Sequence, residues 1–162
     1  MMGIHRQVAV QWQQASGGDW AAYAADVAAL ARQELGGAVR GKRITVWGAA
    51  FKPETDDIRD SPALAVAQTL HDLGASVTVT DPKALDNARK LHPALDYADD
   101  PIAAAQDADL LLHLTEWSAY RHIDPARLAS RVASPKVIDA RGTLSADTWR
   151  EAGWTVRALG RP

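Results

Sequence analysis

Two cations lie in a short segment between a predicted strand and a predicted helix, where they could bind an anion. Lys52 stands between Phe51 and a proline, and an ammonium held in such a loop can bind a phosphate or a sugar hydroxyl. Arg59 follows the pair Asp56-Asp57, and its guanidinium can bind a second phosphate group. Two structural alternatives stay open here: Lys52 is an ordinary solvated residue, and a neighbouring aspartate holds Arg59 in an ion pair.

Arg141 is a third candidate, and it follows a different predicted strand. It stands beside Gly142, where a guanidinium can bind a phosphate through two parallel hydrogen bonds. The structural alternative is a salt bridge between Arg141 and the nearby Asp139. The spacing of the residues does not choose between these two interpretations.

The segment 44–62 contains the elements that position the first two cations. Its first residues are β-branched and predict a strand, and Gly48 predicts a tight turn at which a ligand could approach the backbone. Ser61-Pro62 predicts a helix start, with serine as the N-cap and proline in the first turn. A strand, a glycine turn, two cations and a helix N-terminus together are typical of a phosphate-binding site.

Strands and helices alternate over the rest of the chain. The pattern predicts strands at 76–80, 110–114, 136–139 and 154–159 and helices at 62–73, 84–91, 102–105, 124–128 and 145–152. This order predicts an α/β fold with a doubly wound, mainly parallel, Rossmann-like sheet. Ligands of such sheets lie beyond the carboxyl ends of the strands. We therefore expect four residues that follow strand ends to lie at one edge: Lys52, Asp81, Thr115 and Arg141.

The N-terminal 37 residues differ from this pattern. Residues 1–18 are poorly patterned, and helical spacing of apolar residues then predicts a helix from Asp19 to Gly36-Gly37. We divide the chain into an N-terminal arm and helix at 1–37 and an α/β domain at 38–162. The sequence does not decide whether the apolar face of the helix packs on the domain or on a partner chain.

Other residues resemble functional motifs only weakly. Gly48 followed by Asp81 resembles a degraded dinucleotide fingerprint, but two of the three required glycines are missing. The structural interpretation is that Gly48 ends a strand and Asp81 caps a turn with Pro82. Trp117 is interpreted as a buried structural residue rather than a stacking surface, and His113 as a core residue with satisfied polar atoms.

The composition excludes several classes of protein. The chain has 162 residues, of which 47% are hydrophobic and 23% charged, as in a globular domain with a real core. The net charge of −2 argues against a nucleic-acid or anionic-membrane partner, and no apolar run reaches the length of a membrane span. The absence of cysteine excludes thiolate metal sites and thiol nucleophiles in this chain and fits a cytoplasmic protein. The five histidines show no metal-ligand spacing.

The segment GKRITVWGAAFKPETDDIRDSPAL, residues 41–64, resembles the opening of the C-terminal, UDP-binding domain of the UDP-glucose 6-dehydrogenases. The resemblance covers about residues 38–162 and continues through Asp81-Pro82, Thr115-Glu116-Trp117, Val137–Arg141, Gly153 and Gly160-Arg161. Residues 1–37 match poorly. At most, 19–36 resembles the end of the long helix that links the two halves of these enzymes and pairs their subunits.

The resemblance implies roles for the candidate residues. The family oxidises a UDP-sugar at C6 to the uronic acid and reduces two NAD+ per sugar. Phe51 and Lys52 match a loop that contacts the UDP-sugar, Arg141 matches an arginine that also binds the substrate, and Arg59 matches an arginine that reaches NAD bound mainly by another domain. The implied partners are the UDP-sugar, an N-terminal dehydrogenase domain and a second subunit in a homodimer.

The sequence also departs from the family. The NAD fingerprint and the catalytic cysteine of the family lie in an N-terminal domain, and this chain has no cysteine. Because the thiol that forms the covalent intermediates is missing, we expect no catalysis from this chain alone. Ala49 stands where the family usually has leucine, which is a packing change.

The chain is then either part of the enzyme, which we favour, or a stand-alone nucleotide-binding or dimerisation module. Dehydrogenases of UDP-N-acetylmannosamine and GDP-mannose share this architecture, so the sequence does not identify the sugar of the substrate. A third possibility is an independent NAD-dependent enzyme, and the missing glycines argue against it.

Overall fold

The centre of the molecule is a six-stranded parallel sheet in a computed structural model that describes residues 20–159. Its strands are β1 (Arg43–Trp47), β2 (Ser76–Thr80), β3 (Asp96–Tyr97), β4 (Leu110–His113), β5 (Lys136–Asp139) and β6 (Thr155–Ala158). The spatial order is β3-β2-β1-β4-β5-β6, and every neighbouring pair is parallel. The predicted α/β, doubly wound fold is therefore confirmed, with a wholly parallel sheet whose order reverses between β1 and β4.

Helices connect the strands, and several of them begin where the sequence predicts. They are α1 (Trp20–Glu34), α2 (Pro62–Asp72), α3 (Leu85–Leu91), α4 (Pro101–Ala104), α5 (Ser118–Arg121), α6 (Pro125–Ala129) and α7 (Ala146–Glu151). The side chains of Ser61, Asp100 and Asp124 accept backbone N–H groups at the starts of α2, α4 and α6, and a proline follows each cap. Between residues 20 and 159, no helix combines the length and the apolar character that crossing a membrane requires.

The core lies on both faces of the sheet, and aromatic rings fill part of it. All four residues of β4 are buried, as expected for a central parallel strand covered on both sides. Trp47 at the end of β1 stacks on Tyr120, with ring centroids 4.9 Å apart. Trp149 of α7 packs edge-on against both Trp47 and Trp154. The carboxyl ends of β1 and β4 are thereby anchored in a rigid interior.

Helix α1 is packed into this domain. Five of its residues are buried at helical spacing: Tyr23, Ala24, Val27, Ala28 and Ala31. Its last residue, Glu34, accepts hydrogen bonds from Lys136 of β5 to its carbonyl (2.8 Å) and from Arg157 of β6 to its carboxylate (2.7 Å). The apolar face that the sequence left unassigned therefore covers the domain itself. The arm at 1–18, the predicted cap Asp19 and Gly160-Arg161 lie outside the described residues.

Two short elements were not predicted from the sequence. Strand β3 has only two residues, and it pairs with Thr78 and Val79 at the edge of the sheet. Helix α5 forms a single turn after Trp117 and has no side-chain cap. Both are too short to produce a hydrophobic period, so tertiary packing rather than local pattern defines them.

Candidate functional site

The backbone turn after β1 packs directly against the chain after β4. Gly48 has φ +115°, and its N–H donates to the Thr80 carbonyl at 2.8 Å. A Cβ atom at Gly48 would overlap the Thr115 side chain and lie 2.7 Å from the Thr115 nitrogen. The buried Thr115 hydroxyl donates to the Ala50 carbonyl at 2.9 Å. Thr115 thus occupies the space that this glycine leaves open at the point where the strand order reverses.

Asp81, at the end of β2, binds the free N–H groups of the same turn. Its Oδ2 accepts from the amides of Ala49 (2.8 Å) and Ala50 (3.0 Å) and from the Trp117 indole (3.1 Å). Its Oδ1 accepts from the amides of Lys83 (2.9 Å) and Ala84 (2.8 Å). A carboxylate of the protein therefore takes the amides that a glycine turn can present to a phosphate.

These contacts distinguish between the two interpretations of the β1 turn, a dinucleotide-binding fingerprint and a purely structural turn. Gly48 ends the strand and Asp81 caps the turn after β2, as the structural interpretation predicts, and Trp117 is buried at 4% exposure. The turn does not fit the pyrophosphate of a dinucleotide, because Asp81 already holds its amides and Thr115 fills its open side. The sequence could not show that Asp81 also reaches back across the sheet to residues 49 and 50.

Arg141, two residues beyond β5, is held by Glu116. The guanidinium Nε donates to Glu116 Oε2 at 2.8 Å, and Nη2 donates to Oε1 at 3.0 Å. The Arg141 side chain is 15% exposed and the Glu116 side chain 5%. The structure does not contain the salt bridge with Asp139 that the sequence left open as an alternative. Asp139 contacts Arg141 only by accepting its backbone N–H at 3.1 Å.

The Asp139 carboxylate is occupied by other donors. It accepts from His113 Nδ1 (2.9 Å) and from the amides of Gly142 (2.9 Å) and Leu144 (3.0 Å). Burial raises the pKa of Asp139, but the hydrogen bond and charge of His113 together with these amides outweigh burial and hold the pKa below its usual value. His113 is fully buried, as predicted, but only its Nδ1 is satisfied: Nε2 has no hydrogen-bond partner in the described part of the chain.

Helix α1 brings a phenol to the same region. The pKa of Tyr23 is raised to about 12, mainly by burial; the charge of Arg141 lowers it, and the charges of Glu116 and Asp139 raise it. Tyr23 is therefore within electrostatic range of the Glu116–Arg141 pair. The sequence pattern gave Tyr23 only as an apolar position of the helix, and no motif marked it.

The loop between β1 and α2, residues 51–60 and called here the β1 loop, is far more exposed. Phe51 is half-buried and donates its N–H to the Asp57 carbonyl at 2.8 Å, whereas Lys52 is exposed. The Arg59 side chain is 88% exposed and binds both Asp57 oxygens, at 3.0 and 2.8 Å. The Arg59 hydrogen bond lowers the pKa of Asp57 to about 2, with a smaller contribution from Lys52. The predicted ion pair between Arg59 and a neighbouring aspartate is confirmed.

An open pocket adjoins this loop. It is lined by Thr55, Asp56, Asp57, Ile58, Arg59 and Asn87. Asn87, from α3, donates its side-chain amide to the Asp56 carbonyl at 3.0 Å and so ties the loop to that helix. No sequence signal singled out Asn87, because its contact spans 31 residues of chain.

Contacts of residues 115–117, which follow β4, connect the predicted site residues. Thr115 bonds to Ala50, two residues before Lys52, and the adjacent Glu116 bonds to Arg141. Asp81 reaches the same loop through Trp117. The segments that carry Lys52, Asp81, Thr115 and Arg141 therefore meet at the carboxyl edge of the sheet, which fits the expectation for strand-end residues.

Comparisons with known proteins agree with this architecture. Residues 45–146 match the model of the UDP-glucose/GDP-mannose dehydrogenase family, UDP binding domain. The UDP-glucose 6-dehydrogenase of Rhizobium meliloti (strain 1021) is 47% identical over 127 residues, which are 78% of this chain and 29% of that protein. The chain thus spans less than a third of that curated relative.

Two solved structures share the fold. A UDP-glucose dehydrogenase from the hyperthermophilic archaeon Pyrobaculum islandicum is 31% identical with a TM-score of 0.66, over 84% of this chain and 30% of the other. An NDP-N-acetyl-D-galactosaminuronic acid dehydrogenase from Methanosarcina mazei Go1 is 25% identical with a TM-score of 0.73, over 87% of this chain and 29% of the other. In both, the likeness covers under a third of the longer protein.

Proposed function

Because the chain belongs to the UDP-glucose/GDP-mannose dehydrogenase family and carries its UDP-binding domain, we propose that it binds the diphosphate of a UDP-sugar during NAD-dependent oxidation of the sugar. Arg141 and Lys52 bind the phosphates, and Phe51 packs beside the substrate. The observation that carries the proposal is the position of Arg141, an oriented and largely buried guanidinium at the carboxyl edge of the sheet.

The charges at this edge suit a diphosphate. Arg141 supplies a planar donor fork, and Lys52 supplies an exposed ammonium on a neighbouring loop. Asp81, which would repel phosphate if it faced the ligand, is buried and saturated with five N–H donors. Arg141 and Lys52 therefore supply cationic donors, while the buried carboxylates of Asp81 and Asp139 are occupied by internal partners.

We assign NAD mainly to a domain other than this one, because the β1 turn does not fit a pyrophosphate. Bound NAD would accept the hydride in the oxidation, and Arg59 on the β1 loop would reach it from this side. The 162 residues contain no cysteine, so the thiol nucleophile also belongs to the other domain, and this chain alone is inactive. The similarity to the Rhizobium enzyme supports UDP-glucose as the substrate. We place the complete enzyme in the cytoplasm as a homodimer.

Calorimetric titration of the chain with UDP tests this proposal. Arg141→Ala and Lys52→Ala should each weaken UDP binding by about tenfold or more, since a hydrogen bond to a charged group contributes about 1.5–3 kcal/mol. Arg141→Lys keeps the charge but loses the fork, and it should also bind UDP more weakly. Arg127→Ala and Lys90→Ala change exposed cations outside the site and serve as controls. Equal UDP affinity in the wild type and in the three site variants would refute the proposal.

A further inference from the structure

We propose that Glu116 is a positioning residue for Arg141: it fixes the plane of the guanidinium and leaves the unused edge of that group for the diphosphate. The inference rests on the function proposed above and extends it to a residue that does not itself touch the ligand. Glu116 reaches the substrate only through Arg141, so its effect on binding should vanish when Arg141 is removed.

The geometry of the pair fixes the guanidinium in one orientation. Two nearly parallel hydrogen bonds, of 2.8 and 3.0 Å, join the Nε–Nη2 edge of Arg141 to the two Glu116 oxygens. The chain on each side is held as well, because the Arg141 N–H donates to Asp139 and the residue before Glu116 bonds to Ala50. A bidentate contact between two anchored segments leaves little freedom for rotation of the group.

The pair leaves donors available on the other edge. A guanidinium has five N–H donors, and Glu116 takes two of them. The other three have no acceptor among residues 20–159, and the side chain keeps 15% of its surface exposed. A ligand on that edge would be separated from the Glu116 oxygens by the guanidinium itself, so the carboxylate orients the cation without facing the phosphate.

None of the four other arginine–carboxylate pairs among residues 20–159 has this combination. Arg43–Asp107 and Arg89–Asp86 are single contacts between exposed side chains. The Arg59–Asp57 pair is bidentate, but Arg59 is 88% exposed and its orientation is not enclosed by protein. The Arg157–Glu34 pair is half-buried and rests on one contact of 2.7 Å, which ties α1 to β6. The Glu116–Arg141 pair is both bidentate and buried.

A buried ion pair is a weak source of stability, because the desolvation of the two charges offsets much of their attraction. Pre-orientation is a better reason for its presence in a binding site. The entropy of immobilising a long arginine side chain is then lost during folding rather than during binding. The buried Asp139 accepts the backbone N–H of Arg141, and the buried Tyr23 lies within range of the charges of the pair.

Calorimetric titration of Glu116→Gln with UDP tests the proposal. Glutamine keeps the length of the side chain but sets an N–H group against the guanidinium, and UDP binding should weaken about tenfold. In an Arg141→Ala background the same change should have no further effect, because the residue acts through Arg141. Glu34→Gln breaks the other partly buried arginine pair, far from the site, and should leave UDP affinity within about twofold.

A second measurement follows the arginine directly. In ¹⁵N-resolved NMR spectra, the Nε–H signal of Arg141, assigned by its loss in Arg141→Ala, should exchange slowly with water in the wild type and rapidly in Glu116→Gln. Glu116→Asp keeps the charge and withdraws the oxygens by one methylene. Glu116→Asp should also weaken UDP binding. If Glu116→Gln does not fold, UDP affinity and the exchange rate of the Arg141 Nε–H signal can be measured in Glu116→Asp instead.

The outcomes separate the two proposals. If Arg141→Ala loses UDP binding while Glu116→Gln and Glu116→Asp keep wild-type affinity, the positioning role is refuted and the proposed function stands. A further loss caused by Glu116→Gln in the Arg141→Ala background also refutes positioning through Arg141. If the wild-type chain binds no UDP, the proposed function is refuted, and the role of Glu116 falls with it.

Discussion

The two sides of the candidate site differ in how firmly the protein holds them. On one side lies a buried group that we call the strand-end cluster: Asp81, Thr115, Glu116, Asp139 and Arg141. Four of its members are at most 7% exposed, and the Arg141 side chain is 15% exposed. On the other side, the β1 loop exposes Lys52 and nearly the whole of Arg59. The same kind of contact, an arginine bound to a carboxylate, is enclosed in the cluster and open to water in the loop.

This difference suggests that the two sides of the proposed binding site have different roles. Fixed donors in the cluster can set the place of a phosphate before it arrives, because binding then requires little further ordering. Cations on an exposed loop can adjust their side chains to the ligand or to a neighbouring domain. The conformation of the β1 loop is itself demanding, since Glu54 and Asp60 have positive φ angles of 67° and 52°.

The largest effect should follow a change at the junction beneath the cluster. Gly48→Ala puts a Cβ atom into the Thr115 side chain at a φ of +115° that alanine rarely adopts. We expect a loss of about 4 kcal/mol in the free energy of unfolding, the sum of overpacking and backbone strain. Chemical denaturation measures it.

Gly153→Ala is the matched control for this change. Gly153 also has a positive φ, of +100°, but nothing lies within 4 Å of the position of its Cβ. We expect only the backbone strain there, about 1 kcal/mol. Equal losses in the two variants would mean that close packing at Gly48 does not matter.

The next effect should come from the carboxylate that binds the β1 turn. Asp81→Asn replaces one of two oxygens that accept five N–H donors with an amide that is itself a donor. We expect destabilisation by about 2–3 kcal/mol, since buried donors lose a charged acceptor. Urea unfolding tests it, and a loss below about 0.5 kcal/mol would contradict the internal role of Asp81.

The sequence predicted the fold well where local pattern and packing agree. The β-branched run at 76–80 predicted β2 with its observed bounds, and Ser61-Pro62 predicted the start of α2, where the serine caps the helix. Strand β3 could not be predicted, because its two residues join the sheet only through β2. The sequence also did not determine the packing of α1 on the domain. Amphipathic spacing shows that a helix has an apolar face but not which surface that face covers.

The sequence predicted where the residues of the candidate site lie, but not which side chains they bind. Strand-end reasoning brought Asp81, Thr115 and Arg141 to one edge. The sequence offered Asp139, which is close in the chain, as an alternative partner for Arg141, but the guanidinium binds Glu116. The true partner is 25 residues away and lies across the β4–β5 pairing, a relation that depends on strand order.

A smaller effect should appear when the chain is acidified. The folded-state pKa of Asp139 is lowered, so it contributes stability that is present above the unfolded pKa of about 4 and is lost as the pH falls through the folded value. We therefore expect Asp139→Asn to lose less stability than the wild type between pH 5 and pH 3. Urea midpoints measured across this range test the difference, and parallel curves for the two proteins would contradict it.

The smallest effect should come from the β1 loop. Asp57→Asn removes the ion pair with Arg59, but both side chains face water, where such pairs contribute little to stability. We expect the thermal midpoint at pH 7 to change by less than about 2 °C. The hydrogen bond from Arg59 lowers the pKa of Asp57 to about 2, so the Asp57 carboxylate of the wild type is ionised at this pH. A drop as large as that of Asp81→Asn would show that the β1 loop unfolds together with the strand-end cluster. A midpoint that does not change would mean that the Asp57–Arg59 pair contributes nothing to the stability of the fold.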